Sequence, residues 1–156
     1  MKNRTISIAS DHRGHDVVDA LKKHLVSAGH EVNIVARPED LEQPVDYPDA
    51  AEEVTNSILD GGADVGVLVC GSGIGMSMAA NRVRGVRAAL VADPTAAEMS
   101  RRHNDANVLC MGASCLDVPT MCSLLDTWLS TEFEGGRHEA RVRKIDSIGS
   151  CGEATC

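Results

Sequence analysis

The chain has 156 residues, a formal net charge of −8 and a hydrophobic fraction of 43%, but only 2% of its residues are aromatic. The length suits one domain with a core of its own, and an acidic chain is a poor partner for nucleic acid. No apolar run approaches the roughly 18 residues of a membrane-spanning helix, and the N-terminus lacks the apolar stretch of a signal peptide, so we expect no membrane partner and a cytoplasmic location.

The first half of the chain alternates between strand and helix patterns. TISIAS is a β-rich run that ends at Asp11, and apolar residues at helical spacing follow it as far as Gly29. EVNIV predicts a second strand. Residues 36–48 carry three prolines and many charges and therefore predict a loop, and the next helix is predicted from Asp49 to Leu59.

The second half continues the alternation. DVGVLVC, VRAALVA and NVLCMG predict three more strands, and MSMAANRV, TAAEMSRRHN, VPTMCSLLDTWLS and EGGRHEARVRKIDSI predict helices. The third strand is almost uniformly apolar, as in a parallel sheet covered on both faces. We therefore predict a single α/β domain over residues 1–148 with a parallel sheet, followed by a flexible tail over residues 149–156.

Polar residues follow several of the predicted strands. Residues 11–14, DHRG, follow the first strand, and residues 70–75, CGSGIG, end the third. The helix after the fourth strand ends at residues 103–105, HND. Because ligands bind at the carboxyl ends of parallel strands, we expect these groups to gather at one edge of the sheet.

The stretch VCGSGIGMS matches neither common phosphate-binding motif. Met76 occupies the third glycine position of GxGxxG, and GxxxxGK[ST] is absent. Alternating glycines allow close approach of a ligand to backbone N–H groups, and a position before a helix favours the thiolate of Cys70. This pattern suits a base beside an oxyanion cradle, and it equally suits a small buried cysteine beside a tight turn. No CxxC pair or zinc-spaced Cys/His set occurs among the six cysteines, so no metal site is predicted.

Several motifs in a fixed order carry a resemblance. ASDHRG, DYPDAA, CGSGIGMSMAANR, RRHNDANVLCMG and EGGRHEARV together resemble the ribose-5-phosphate isomerase B family, which includes galactose-6-phosphate and allose-6-phosphate isomerases. The resemblance covers residues 5–148. It implies a Rossmann-like three-layer α/β/α sandwich with a five-stranded parallel sheet, no metal and no organic cofactor. It also implies a homodimer or homotetramer whose active sites are shared between two subunits.

The resemblance implies roles for residues at matching positions. Cys70 matches the catalytic base that moves a proton between carbons 2 and 1 of the open-chain sugar, and Ser72 matches a hydroxyl that assists proton transfer at the sugar oxygens. His103 matches the histidine that helps to open the furanose ring. The substrate-binding matches are Gly71, Gly73 and Gly75 for the enediolate cradle, Asn104 beside His103, Asp11 and His12 for the sugar- and phosphate-binding loop, Tyr47 for the pocket wall, and Arg137 and Arg141 for the phosphate.

Each of these residues also has a simpler structural interpretation. Arg137 and Arg141 are four residues apart and should share a helix face, where they clamp a phosphate or merely pair with Glu134 and Glu139. His103 is a common residue type at the end of a helix. Capping for Asp11 and loop packing for Tyr47 are the corresponding alternatives, and four other histidines are assigned mostly to the surface: His15, His24, His30 and His138.

The expected activity is interconversion of ribose 5-phosphate and ribulose 5-phosphate through an enediolate. Many relatives carry an arginine shortly after the glycine of the fifth strand, whereas residues 112–115 here read GASC. That departure leaves open another sugar phosphate, such as allose 6-phosphate, galactose 6-phosphate or a four-carbon substrate. A non-catalytic sugar-phosphate-binding protein and a redox sensor are further alternatives, although no resolving cysteine is visible near Cys70 in the sequence.

Overall fold

A parallel sheet of five strands forms the centre of the computed structural model, which describes residues 3–38 and 45–148. The strands are β1 (Thr5–Ser10), β2 (Glu31–Ala36), β3 (Val65–Cys70), β4 (Ala88–Leu90) and β5 (Val108–Gly112). They lie in the order β2-β1-β3-β5-β4, and every neighbouring pair is parallel. The predicted α/β class and five-stranded parallel sheet are therefore confirmed.

Helices cover both faces of the sheet. They are α1 (His15–Ser27), α2 (Tyr47–Leu59), α3 (Ile74–Ala80), α4 (Pro94–Arg102), α5 (Val118–Ser130) and α6 (Glu139–Ser147), with a short 3-10 helix at Gly136–His138 before α6. Apolar residues of α1, α4 and α5 form one core with one face of the sheet, and those of α2 and α3 form a second core with the other face. This arrangement is the predicted three-layer sandwich.

The central strand β3 shows how the two cores are filled. All six of its residues are buried, because neighbouring strands flank it and helices cover both faces. Val67 and Val69 face the core that contains Trp128, whereas Leu68 and Cys70 face the α2–α3 core. Cys70 therefore ends the strand on the α2–α3 side of the sheet.

Some predicted boundaries are wrong for local reasons. Helix α2 begins at Tyr47, two residues before the predicted start, because extended Asp46 is its N-cap and Pro48 fits the first turn. The last predicted helix is interrupted, since Gly135 and Gly136 both have positive φ, 66° and 56°. Only the 3-10 turn and α6 are helical in that segment.

The chain order fixes which side chains lie at which edge of the sheet. Strands β1 and β3 are neighbours, but the chain winds outward from them in opposite directions, which leaves a crevice between their carboxyl ends. Each connecting helix then returns the chain to the amino edge. Within the described ranges, no helix is long and apolar enough to cross a membrane. The predicted tail, with Cys151 and Cys156, and part of the predicted proline-rich loop lie outside the described residues.

Candidate active site

Cys70 lies at the carboxyl end of β3 and is only 5% exposed. The backbone N–H of Gly73 donates a hydrogen bond of 3.1 Å to its Sγ atom. A backbone donor aimed at sulfur stabilises the thiolate, which is the form of cysteine that accepts a proton. Such an arrangement suits a proton acceptor at the mouth of the crevice.

The glycine loop that follows Cys70 is held in a shape that side chains would disturb. Gly73 has φ +77°, and a Cβ added there would lie 3.0 Å from the carbonyl carbon of Met111 and 2.5 Å from Leu90 Cδ1. The loop after β5 clamps it from the other side, because Ala113 N–H donates to the Cys70 carbonyl at 2.8 Å. Glycine is therefore required at position 73 by both backbone conformation and space.

The same loop presents backbone donors that are not used internally. Among the described residues, no acceptor faces the N–H groups of Gly71, Ser72, Gly75 and Met76. The Ser72 hydroxyl accepts from Ile74 N–H at 3.3 Å and is exposed at the surface of the loop. These free donors beside Cys70 form a cradle that can stabilise a developing oxyanion.

The loop after β1 and the start of α2 border this cradle. Asp11 is buried and accepts from the N–H groups of Arg13 and Gly14, so it shapes the loop and does not cap α1, whose N-cap is Gly14. Its own N–H donates to the Val69 carbonyl at 3.3 Å, which joins the loop to β3. His12 is exposed on that loop.

Tyr47 closes another side of the cradle. A Cβ added at Gly75 would lie 2.8 Å from Tyr47 Cε2, so the aromatic ring rests directly on the first turn of α3. Tyr47 is 43% exposed, so part of this residue remains open to solvent. The structure thus brings together one group of predicted site residues: Asp11, His12, Tyr47, Cys70, Gly71, Ser72, Gly73 and Gly75.

The expectation that His103 and Asn104 share this edge within one chain is wrong. Helix α4 starts beyond the carboxyl end of β4 and ends at Arg102, so it delivers both residues to the amino edge, where β5 begins. The five residues of β5 span about 16 Å between the two edges. Asn104 lines a separate cavity of about 200 Å³ that also contains Arg87 and Ile145.

His103 stacks on His138, which is buried rather than on the surface as expected. The two rings are nearly parallel, with an interplanar angle of 4° and centroids 4.1 Å apart. Arg137 Nε donates to His138 Nε2 at 3.2 Å. Burial, with the charges of His103 and Arg137, lowers the pKa of His138, so this ring stays neutral and offers a flat support for His103.

Arg137 and Arg141 belong to the same amino-edge group, but they do not occupy one helix. Arg137 lies in the 3-10 turn and Arg141 in α6. Their expected carboxylate partners are engaged elsewhere, because Glu134 pairs with Arg102 at 2.6 Å and Glu139 pairs with Arg143. Within the described part of the chain, neither Arg137 nor Arg141 has an ion-pair partner.

One cluster has the residue types of a metal site. The ligand atoms of His103, Glu134 and His138 all lie within 4.8 Å of one another. Two of these ligands are already engaged with cations, since Glu134 accepts from Arg102 and His138 Nε2 accepts from Arg137. Such a donor set repels a further cation, and the cluster is better described as a supported histidine.

Sequence reasoning missed Arg13 and Cys110. The Arg13 side chain passes over Gly71, and Cys110 lies in the same core as Cys70 on the neighbouring strand. Burial, with a contribution from Cys70, raises the pKa of Cys110 well above that of an ordinary thiol, so it remains neutral. The DHRG motif contained the signal for Arg13, whereas the position of Cys110 follows only from strand register.

Comparisons with known proteins find similar chains over most of the length of this one. A family model described as Ribose/Galactose Isomerase matches residues 6–145. Ribose-5-phosphate isomerase B of Escherichia coli is 36% identical over 145 residues, covering 93% of this chain and 96% of that protein. A Rickettsia bellii protein, named only to the level of a sugar phosphate isomerase, is 42% identical over 94% of this chain and its own full length. The crystal structure of a ribose 5-phosphate isomerase from Thermotoga maritima has a TM-score of 0.88 and 45% identity, covering 94% of this chain and 100% of that one.

Proposed function

This chain is a sugar phosphate isomerase of the ribose/galactose isomerase family, and we propose that it interconverts ribose 5-phosphate and ribulose 5-phosphate with Cys70 as the base. The observation that carries this proposal is the hydrogen bond from Gly73 N–H to Cys70 Sγ beside unused backbone donors. A proton acceptor and an oxyanion cradle side by side are what an enediolate pathway requires.

The proposed chemistry moves one proton between adjacent carbons. The Cys70 thiolate removes the proton from carbon 2 of the open-chain aldose, and the electrons flow to the carbonyl oxygen. Backbone N–H groups of Gly71 and Gly75 stabilise the enediolate, and the Ser72 hydroxyl passes a proton between the two sugar oxygens. The Cys70 thiol returns its proton to carbon 1, which gives the ketose and restores the thiolate.

The residues proposed for ring opening and phosphate binding lie at the amino edge of the sheet, opposite the edge that holds Cys70. His103 and the unpaired Arg137 and Arg141 lie across the sheet from Cys70, about a strand length away. We therefore assign them to the active site of a neighbouring copy, where His103 opens the furanose ring and the arginines hold the phosphate dianion. Each complete site then contains Cys70 from one subunit and His103 from another.

An exposed apolar surface beside Cys70 supports this shared arrangement. Ile74 and Met78 lie one turn apart on α3 and are 47% and 67% exposed, and Leu90 next to the loop is 43% exposed. Exposed apolar side chains grouped in this way are typical of a subunit interface. We propose that a second copy covers this surface and places its amino edge close to the Cys70 crevice, in a homodimer or as part of a homotetramer.

The proposal also specifies the number of carbons in the substrate sugar. Relatives named as ribose-5-phosphate isomerase B favour a five-carbon sugar, whereas other relatives are named only as sugar phosphate isomerases. Ser114 provides no cation after β5, so the phosphate contacts here differ from those that the family resemblance implies. Allose 6-phosphate, galactose 6-phosphate and a four-carbon aldose phosphate are the competing substrates.

A substrate panel in excess EDTA tests the proposal. We expect ribose 5-phosphate to give the largest kcat/KM, unaffected by EDTA, and Cys70→Ala to lower kcat by about 100-fold or more. Circular dichroism confirms that the variant is folded. A larger kcat/KM for a six- or four-carbon substrate would correct the substrate, whereas no turnover of any sugar phosphate by folded wild type would favour a non-catalytic binding protein.

A further inference from the structure

The side chain of Arg13 lies against the glycine loop in the same chain as Cys70. A Cβ added at Gly71 would lie 2.7 Å from Arg13 Cδ and 3.6 Å from its Nε, so the aliphatic stem crosses the loop directly after Cys70. The same point is 3.7 Å from Ser114 Oγ. Arg13 therefore lies beside the cradle, and the Nε atom of its guanidinium is close to Gly71.

The guanidinium has no internal partner. No carboxylate of the described residues forms an ion pair with Arg13, and the hydrogen bond to Asp11 uses the Arg13 backbone N–H. Arg37 and Arg143 are also exposed, but they are paired with Asp19 at 2.8 Å and with Glu139, respectively. A free guanidinium fork next to a catalytic crevice is suited to two oxygens of a phosphate.

We infer that Arg13 binds the substrate phosphate from the subunit that supplies Cys70, in the space that Ser114 leaves without a cation. This inference rests on the proposed function. It assigns the phosphate two sources of positive charge: Arg13 from the base-bearing chain, and Arg137 with Arg141 from its neighbour. Arg13 therefore links the position of the phosphate to the position of Cys70 within one rigid loop pair, which makes it a determinant of substrate length.

The kinetic test compares Arg13→Ala and Arg13→Lys with wild type on ribose 5-phosphate. We expect Arg13→Ala to raise KM by about 10- to 100-fold with kcat lowered less than KM is raised, since a charged hydrogen bond to phosphate is lost. The KM of Arg13→Lys should lie between those of wild type and Arg13→Ala, because lysine keeps the positive charge but lacks the planar pair of donors. Lys23→Ala removes an equal charge from exposed α1 and should leave both constants unchanged.

A second change tests the assigned location. In Arg13→Ala protein, Ser114→Arg should bring KM back toward the wild-type value, because position 114 borders the same point above Gly71. A KM of Arg13→Ala within about twofold of wild type overturns the inference, since a direct phosphate contact costs more than that.

Mixed oligomers test which subunit Arg13 serves. When Arg13→Ala and His103→Ala chains are co-expressed, half of randomly formed dimers contain both chains, and each holds one wild-type site if Arg13 acts with Cys70. Activity at low substrate should then recover to about a quarter of wild type. Co-expression with Cys70→Ala should give no such recovery. Recovery with Cys70→Ala and not with His103→Ala overturns the inference.

A readout without turnover separates this inference from the proposed function. Inorganic phosphate should protect Cys70 from alkylation by iodoacetamide, followed on the Cys70 peptide by mass spectrometry, and Arg13→Ala should weaken that protection by about tenfold or more. If wild type does not isomerise any sugar phosphate but the protection depends on Arg13, the proposed function is wrong and the phosphate contact stands. If wild type isomerises ribose 5-phosphate but Arg13→Ala changes neither KM nor the protection of Cys70, the inference is wrong and the proposed function stands.

Discussion

Two cysteines in one core show how surroundings decide reactivity. Cys70 receives a backbone hydrogen bond at 3.1 Å at the rim of the crevice, whereas Cys110 is fully buried two positions back along the neighbouring strand. Burial raises the pKa of Cys110, so the neutral thiol is its stable form. The two Cα atoms are about 8 Å apart from strand spacing and rise, beyond the usual disulfide range, so Cys110 is badly placed as a resolving cysteine.

Alkylation should therefore distinguish these thiols. We expect iodoacetamide to abolish isomerase activity at the rate at which the Cys70 peptide is modified, while Cys110 stays unmodified in the folded protein. Exposed Cys115 should also react, but a Cys115→Ser variant should lose activity at the wild-type rate. Inactivation that follows modification of Cys115 or Cys122, with the Cys70 peptide intact, would contradict the assigned base.

The sequence predicts the residues of the glycine loop better than it predicts their neighbours. Cys70 and the alternating glycines form a contiguous motif, so their grouping depends on local chain geometry alone. Arg13 over Gly71 and His138 under His103 are contacts between segments distant in sequence. The burial of His30 likewise depends on the Arg4 segment, whose N–H donates to His30 Nδ1 at 3.3 Å. Only tertiary packing determines such contacts.

At the scale of elements, the loop between β3 and α3 is the rigid part of the site. Its shape depends on a left-handed glycine at position 73 and on the β5 loop pressed against it, with Ser114 N–H donating to the Gly71 carbonyl at 2.9 Å. Rigid positioning of a base and its cradle lowers the reorganisation needed during reaction. Strain in this loop should therefore reduce activity as well as stability.

A pair of glycine substitutions tests this point. Gly73→Ala should lower the free energy of unfolding by about 1–2 kcal/mol or more from backbone strain, and it should also lower kcat because the added methyl displaces Leu90 and Met111. Gly61 has a similar φ of +75° with no atom within 4 Å of an added Cβ, so Gly61→Ala should cost stability alone. Urea unfolding and steady-state kinetics measure both effects; an unchanged kcat in Gly73→Ala would argue against a rigid cradle.

The elements themselves follow well from the sequence where burial is simple. The strand β3 was predictable because it is apolar throughout and is buried on both faces. The helix α1 was predictable because its apolar residues recur at helical spacing and one face is buried. The three-residue β4 is shorter than its apolar run, and Gly135 and Gly136 interrupt the last predicted helix. Edge strands and backbone breaks depend on neighbours that a local pattern does not contain.

At the scale of the whole molecule, the sheet separates two groups of predicted site residues. Cys70 and its cradle lie at the carboxyl edge, and His103, Arg137 and Arg141 lie at the amino edge. The prediction that all of these residues share one edge is wrong, because α4 returns the chain across the sheet before His103. Under the proposed shared arrangement, one chain holds half of each of two sites, and a second copy covers the exposed side chains of Ile74 and Met78.

Mixed oligomers of two inactive variants test this account most directly. Cys70→Ala and His103→Ala should each be nearly inactive on ribose 5-phosphate as separate proteins. Co-expressed with different affinity tags and purified through both, they should form hetero-oligomers in which one site contains both wild-type residues, with about half of wild-type activity in a dimer. Folded hetero-oligomers with no recovered activity would contradict a site shared between subunits.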